Sequence, residues 1–135
     1  MNRIESEKLM AQAKHAREKA YAPYSNFFVG AALLCEDGTV VEGCNIENAA
    51  YSPTCCAERV ALFSAVSRGH RHFSAIALAG GREAIPTAMV TPCGVCRQVL
   101  AEFCAPSLSV LLVGEDGEIL ETTLGDLLPQ GFSLS

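Results

Sequence analysis

Cys93-Gly94-Val95-Cys96 places two thiols at i and i+3, on one face of a first helical turn. Cys56 stands at the start of another helical pattern, directly after Pro53-Thr54-Cys55. Both sites fall where the chain hands over to a helix N-terminus, and there the helix dipole and free N–H groups stabilise thiolates. Three such thiolates brought together bind Zn2+ strongly, with Zn–S bonds of about 2.3 Å. A structural zinc normally closes its sphere with a fourth protein ligand. Here there is no second C-x-x-C, and His15, His70 and His72 lie in charged or loop stretches. Cys55 adjoins Cys56, and adjacent residues rarely share one tetrahedral ion. One coordination position is left open, which is the arrangement of a catalytic zinc. Glu58, two residues after Cys56, can lean toward whatever the metal presents, and a water activated by zinc needs a base to take its proton.

Other readings of these residues stand beside that one. A lone C-x-x-C also fits a zinc-ribbon half-site or a thioredoxin-like dithiol. The dithiol reading expects the motif early, after a first strand, whereas this one lies past two-thirds of the chain. Glu58 taken alone is a first-turn acid favourable to the helix dipole. Cys35 sits near a turn, Cys44 and Cys104 fall on expected core faces, and Cys55 is open.

The elements that must position these groups can be read from periodicity. Asn2 with Glu5 resembles a capping box, and Leu9, Met10, Ala13, Ala16 and Ala20 recur at helical period before Ala22-Pro23. Lys8, Lys14, Arg17 and Glu18 are expected on the other face. Strands are expected at 27–34 and 39–46, joined by the hairpin signal Glu36-Asp37-Gly38. A second helix runs from about Cys56 to Gly69, and a buried strand follows at 73–79. The stretch 80–92 reads as a loop. A third helix runs from about Pro92-Cys93 to Phe103, with Pro at its opening. Strands at 108–113 and 118–122 are joined by Glu115-Asp116-Gly117, then a helical turn covers 124–128 and a tail covers 131–135. The order α-β-β-α-β-α-β-β-α predicts an α/β fold, a three-layer α/β/α sandwich around a central mixed five-stranded sheet. No linker or repeat divides the chain, so residues 1–135 are expected to form one domain.

Composition narrows the partners. Fifteen acidic against ten basic side chains give a net charge of −5, without the basic footprint of a phosphate-backbone binder. No nucleic-acid partner is expected, and no apolar run approaches the ~18 residues of a membrane span. Seven cysteines, an odd count, with no apolar signal segment in the first ten residues, point to a reducing compartment and a cytoplasmic location.

Cys56-Ala57-Glu58 followed by Pro92-Cys93-Gly94-Val95-Cys96 closely resembles the zinc-dependent cytidine deaminase signature. The likeness extends through Tyr21-Ala22-Pro23-Tyr24-Ser25, Val29-Gly30-Ala31-Ala32 and Gly43-Cys44-Asn45-Ile46-Glu47-Asn48-Ala49. It continues through Arg59-Val60-Ala61 and Arg97-Gln98-Val99-Leu100 to Leu127-Leu128-Pro129. It is strongest to the small, homotetrameric, free-nucleoside deaminases, in which the first ligand is Cys where polynucleotide editors use His. The resemblance implies a cytidine deaminase-like fold, with Cys56, Cys93 and Cys96 as ligands of one zinc per chain and Glu58 as the proton shuttle. Asn45 and Glu47 resemble the pair that addresses the ribose 3′-hydroxyl. Phe27 resembles an aromatic packing on base or sugar, with one of Phe27 and Phe28 in the core. Ala57 is implied at the substrate, Arg59 in a hydrogen bond to a ligand sulfur, and Phe132 as an aromatic reaching into a neighbouring subunit's site. The alternative for Phe132 is an anchor for the tail on its own domain.

The implied activity is an aminohydrolase acting on a cyclic amidine. Cytidine and deoxycytidine would become uridine and deoxyuridine plus ammonia, a step of pyrimidine salvage. Rivals are a deaminase of another cytosine nucleoside such as blasticidin S, a non-catalytic zinc-stabilised interaction module, and a nucleic-acid editor, which net charge −5 disfavours.

Overall fold

The side chain of Asn2 accepts the amide of Glu5 at 2.8 Å and so starts helix α1 (Arg3–Arg17). Strands β1 (Phe28–Cys35) and β2 (Val40–Cys44) form an antiparallel hairpin whose turn ends on Gly38 at φ +93°, where a Cβ would be strained. Helix α2 (Ala57–Ser67) follows, then β3 (Phe73–Gly81), α3 (Gly94–Phe103), β4 (Ser109–Val113), β5 (Ile119–Thr123) and the short α4 (Leu124–Leu127). The computed structural model describes residues 1–86 and 88–134. Thr87, in the expected loop, and Ser135, at the end of the expected tail, lie outside the described residues.

The sheet runs β2-β1-β3-β4-β5, with only the β3–β4 pair parallel. It is mixed, with helices on both faces. Alternation along the strands divides the core. Ala31 and Leu33 of β1, Ile76 and Leu78 of β3, and Val110 and Leu112 of β4 meet Ala61, Leu62 and Leu100 on the α2/α3 side. Ala32, Ala75, Ala77, Ala79, Leu111 and Val113 meet Leu9, Met10 and Ala13 of α1 on the other.

Two glycines set how closely the helices lie on the sheet. A Cβ on Gly30 would stand 2.0 Å from the Ala13 carbonyl, and one on Gly43 would stand 2.4 Å from the Ala61 amide. The first lets α1 settle on β1, and the second lets α2 settle on β2. Among the described residues, no helix is long and apolar enough to cross a membrane.

Several boundaries differ from the sequence reading. Helix α1 stops at Arg17, and Pro92 precedes the Cys93 cap instead of opening α3. Gly80 and Gly81 belong to β3, not to the loop, because they pair with Val29 and Phe28. Strand β2 ends at Cys44, since Ile46 leaves it to bridge Tyr21 and Cys55. Arg17 is not on the solvated face of α1 but is 8% exposed. Its guanidinium donates to the carbonyls of Phe28 (2.9 Å), Ala84 (2.9 Å), Gly81 (2.7 Å) and Glu83. One charged group thus serves carbonyls at the start of β1, the end of β3 and the segment just after it, which offsets its own burial.

Candidate active site

Cys56 is the N-cap of α2, and Cys93 is the N-cap of α3. Both take extended backbone, and the Cys93 sulfur accepts the Cys96 amide at 3.4 Å, the bond a capping hydroxyl would make. The two helix N-termini point at one place. There Cys56 Sγ lies 3.8 Å from Cys93 Sγ, Cys93 Sγ lies 3.4 Å from Cys96 Sγ, and all three sulfurs are within 4.8 Å of one another. Ligands about 2.3 Å from a tetrahedral ion stand about 3.8 Å apart, so the donor set and its spacing both fit zinc.

The surrounding charges favour thiolates. Arg59, one turn into α2, donates from Nη2 to Cys56 Sγ at 3.6 Å and to the Thr54 carbonyl at 3.5 Å, while its Nε is buried with no hydrogen-bond partner among the described residues. The hydrogen bond from the Cys96 thiol, followed by that from Arg59, holds the Cys56 thiol below its ordinary range. The same pairing and burial push Cys96 up.

Glu58 is the second residue of α2 and only 3% exposed. Burial, then the nearby Cys56 charge, pushes its carboxyl up to about 7, against the pull of a backbone amide, the Cys96 thiol and Arg59. Ala57, between Cys56 and Glu58, is fully buried. A buried carboxyl that touches a three-thiol cluster is placed to exchange protons there.

β2 ends before Asn45 and Glu47, and hydrogen bonds to residues 24–29 position both. Asn45 accepts the Val29 amide at 2.9 Å and donates to the Phe27 carbonyl at 2.8 Å, clamping the entry to β1. Glu47 accepts the amides of Tyr24 (2.9 Å) and Ser25 (3.1 Å) and the Ser25 hydroxyl. A Glu47 carboxylate keeps lone pairs beyond these bonds. It lines an open cavity of about 390 Å3 with Tyr24, Ser25, Asn48, Tyr51 and Thr54. A larger groove of about 800 Å3 between α1 and the β4–β5 hairpin contains none of the cysteines or Glu58. Phe27 precedes β1 and packs half-buried against the α2/α3 core, and Phe28 is half-buried as well.

Phe132 is 69% exposed, while its backbone is held by Gln98 of α3, which donates to its carbonyl at 3.0 Å and accepts its amide at 3.4 Å. The tail is therefore anchored by its main chain and the ring is left free. Arg97 adds a second tie, from Nη1 to the Leu127 carbonyl at 2.6 Å. Gln98 holds Phe132, Ser25 holds Glu47, and Arg97 ties Leu127 ahead of the tail, roles that sequence reasoning missed. These partners lie far apart in the chain, which leaves no local pattern.

The family described as "Cytidine and deoxycytidylate deaminase zinc-binding region" matches residues 3–112. A cytidine deaminase of Sporosarcina psychrophila is 57% identical over 130 residues, 96% of this chain and 93% of the relative. One of Halalkalibacterium halodurans is 49% identical over 131 residues, 96% of each chain. The crystal structure of cytidine deaminase from Burkholderia pseudomallei superposes with a TM-score of 0.86 at 50% identity, covering 98% of this chain and 100% of that one. The family match over most of the chain, together with these relatives, shows that the chain belongs to the zinc-dependent cytidine deaminases.

Proposed function

We propose that this deaminase holds one catalytic zinc per chain on Cys56, Cys93 and Cys96, moves protons through Glu58, and accepts deoxycytidine alongside cytidine. The observation that carries the reading is a glutamate buried two residues after a thiolate cap, against a cluster built from two helix N-termini. Zinc bound there supplies the Lewis acidity that makes a water nucleophilic near neutral pH. Three thiolates and one divalent ion sum to −1, a charge that would weaken that acidity. The two helix dipoles and Arg59 offset it.

Glu58 takes a proton from the attacking water onto its carboxylate and delivers it to N3 of cytosine, which makes C4 more electrophilic. The water oxygen bonds to C4. Glu58 then takes the second proton from that oxygen and passes it to the 4-amino group. The C4–N bond breaks, ammonia leaves, and uridine keeps the proton at N3. A carboxyl whose proton affinity lies near neutrality can act both as base and as acid in one cycle.

Asn45, Glu47, Phe27 and Ala57 form the substrate wall. The remaining Nδ2 hydrogen of Asn45 and the free lone pairs of Glu47 suit a ribose hydroxyl, and the reading leaves the 2′ position unaddressed. A free nucleoside as substrate places the reaction in pyrimidine salvage. We assign it to the cytoplasm and to a single catalytic domain of residues 1–135. Exposed Tyr24, Ile46, Tyr51, Met89, Val95 and Phe132 support a homotetramer in which sites are completed by a neighbour.

A substrate panel tests the reading. Loss of cytidine absorbance with stoichiometric ammonia is expected, deoxycytidine is expected to follow, and free cytosine is expected to be poor because it forfeits the sugar contacts. Faster turnover of blasticidin S than of cytidine would contradict the nucleoside assignment, as would efficient turnover of cytosine.

A further inference from the structure

Among the described residues a second group of metal-ligating side chains comes together, at the other end of α2 from Cys56. The helix's eleven residues separate the two ends by about 16 Å. The group comprises Cys35 Sγ, a carboxylate oxygen of Asp37 and a ring nitrogen of His70, all within 4.8 Å of one another. His70 Nδ1 and Asp37 Oδ2 are 3.7 Å apart, too far for a hydrogen bond. That spacing is what two ligands of one tetrahedral ion show, about 3.3–3.8 Å for bonds of 2.0–2.3 Å.

The ligands are held in place before any ion arrives. In the β1–β2 turn, the Cys35 amide donates to the Thr39 carbonyl at 2.8 Å, and the Gly38 amide donates to the Cys35 carbonyl at 3.0 Å. Asp37 Oδ1 accepts the Thr39 amide at 2.9 Å, which leaves Oδ2 turned to His70. After α2, Gly69 at φ +100° reverses the chain, and the His70 amide donates to the Ala65 carbonyl at 3.0 Å. The Glu36 amide donates to the His72 carbonyl at 3.0 Å and ties the two segments together. The β1–β3 register also shifts between Leu34 and Cys35, an irregularity of the kind that re-aims a side chain. Cys35 is buried from the core side, while the Asp37 side chain is 60% exposed, so an ion here would be reached from solvent and keep a water ligand.

We propose that Cys35, Asp37 and His70 form a second zinc site, which pins the β1–β2 turn to the end of α2. One sulfur, one imidazole nitrogen and one carboxylate oxygen suit a borderline-soft ion such as Zn2+ and not Mg2+ or Ca2+, which take oxygen ligands. The role is structural: it braces the far end of the helix that carries Cys56 and Glu58, and it stands clear of the substrate wall.

The test uses the zinc-loaded enzyme dialysed against buffered micromolar free zinc, with metal counted per chain. Wild type is expected to take up a second equivalent. His70→Ala, at a half-buried position, and Cys35→Ala, a small change in the core, are each expected to stop at the catalytic equivalent with cytidine turnover unchanged. Substituting Co2+ for the second equivalent is expected to give a sulfur-to-metal charge-transfer band that Cys35→Ala lacks. No second equivalent in wild type, or a second equivalent in either variant, would overturn the site.

Discussion

Glu58 and Arg59 are neighbours with opposite tasks. In the proposed mechanism Glu58 holds and releases a proton, which its burial favours by removing water that would stabilise the carboxylate. In the same proposal Arg59, in contact with Cys56 Sγ, offsets part of the negative charge of the thiolate cluster. Replacement by Gln keeps a donor of shorter reach but removes the charge. Arg59→Gln is expected to lower zinc affinity or kcat/KM by about 10–100-fold, the usual effect of losing a hydrogen bond to a metal ligand. Competition with a chelator and steady-state kinetics would measure the two effects separately, and unchanged values for both would remove Arg59 from the site. Chelating the metal is expected to lower Tm, because ligand binding is coupled to folding, and a melting curve that is the same with and without zinc would argue against three thiolates holding it.

At the scale of elements, the site depends on how closely α2 rests on β2 and how β1 begins. Gly43→Ala puts a Cβ 2.4 Å from the Ala61 amide, so α2 must move away with Cys56 and Glu58 on it. A loss of about 1–3 kcal/mol is expected in urea unfolding, with activity falling as well. Arg17→Met strips four carbonyls of their donor and is expected to cost on the order of 3 kcal/mol. Glu47 tethers residues 24 and 25, and the Ser25 hydroxyl first, then these amides, hold its carboxyl below the usual range. A depressed acid contributes stability above its unfolded value and loses it as pH falls. The Tm values of wild type and Glu47→Gln should therefore differ above about pH 4.3 and converge below it. Element order was legible because Asp37-Gly38 and Asp116-Gly117 mark the turns and the helices carry apolar periodicity. The cysteine spacing likewise pointed to the three thiols that the structure brings together. Burial of Arg17 was not legible, since a charge at the end of α1 looks the same in sequence whether it meets water or four carbonyls from β1 and the segment 81–84. The early end of β2 was hidden for a related reason: the bridge partners of Ile46 lie at Tyr21 and Cys55, outside any local window.

At the scale of the whole molecule, two features stand out: acidity and unpaired aromatic surface. A net charge of −5 disfavours a polynucleotide and suits a small neutral substrate. The exposed ring of Phe132, on a tail that Gln98 holds by its backbone, is presented outward and fits a role in a neighbour's site. Phe132→Ala is expected to weaken nucleoside binding by about 1–3 kcal/mol, the worth of one base stack, with zinc content unchanged. Mixing Phe132→Ala chains with chains lacking the Glu58 carboxylate is expected to restore part of the activity, because some mixed sites receive both intact residues. A fully active monomer in sedimentation, or verified mixed oligomers without rescue, would place Phe132 in its own chain's site.

The central claim is that one buried carboxylate carries the proton transfers beside a zinc held by Cys56, Cys93 and Cys96. Its most direct test is ammonia release from cytidine by Glu58→Gln, measured on protein whose zinc content has been determined in the same sample. Full zinc with turnover reduced by at least the ~10²–10⁴-fold typical of a general acid–base group is the predicted result. Full zinc with near-normal turnover would contradict the account.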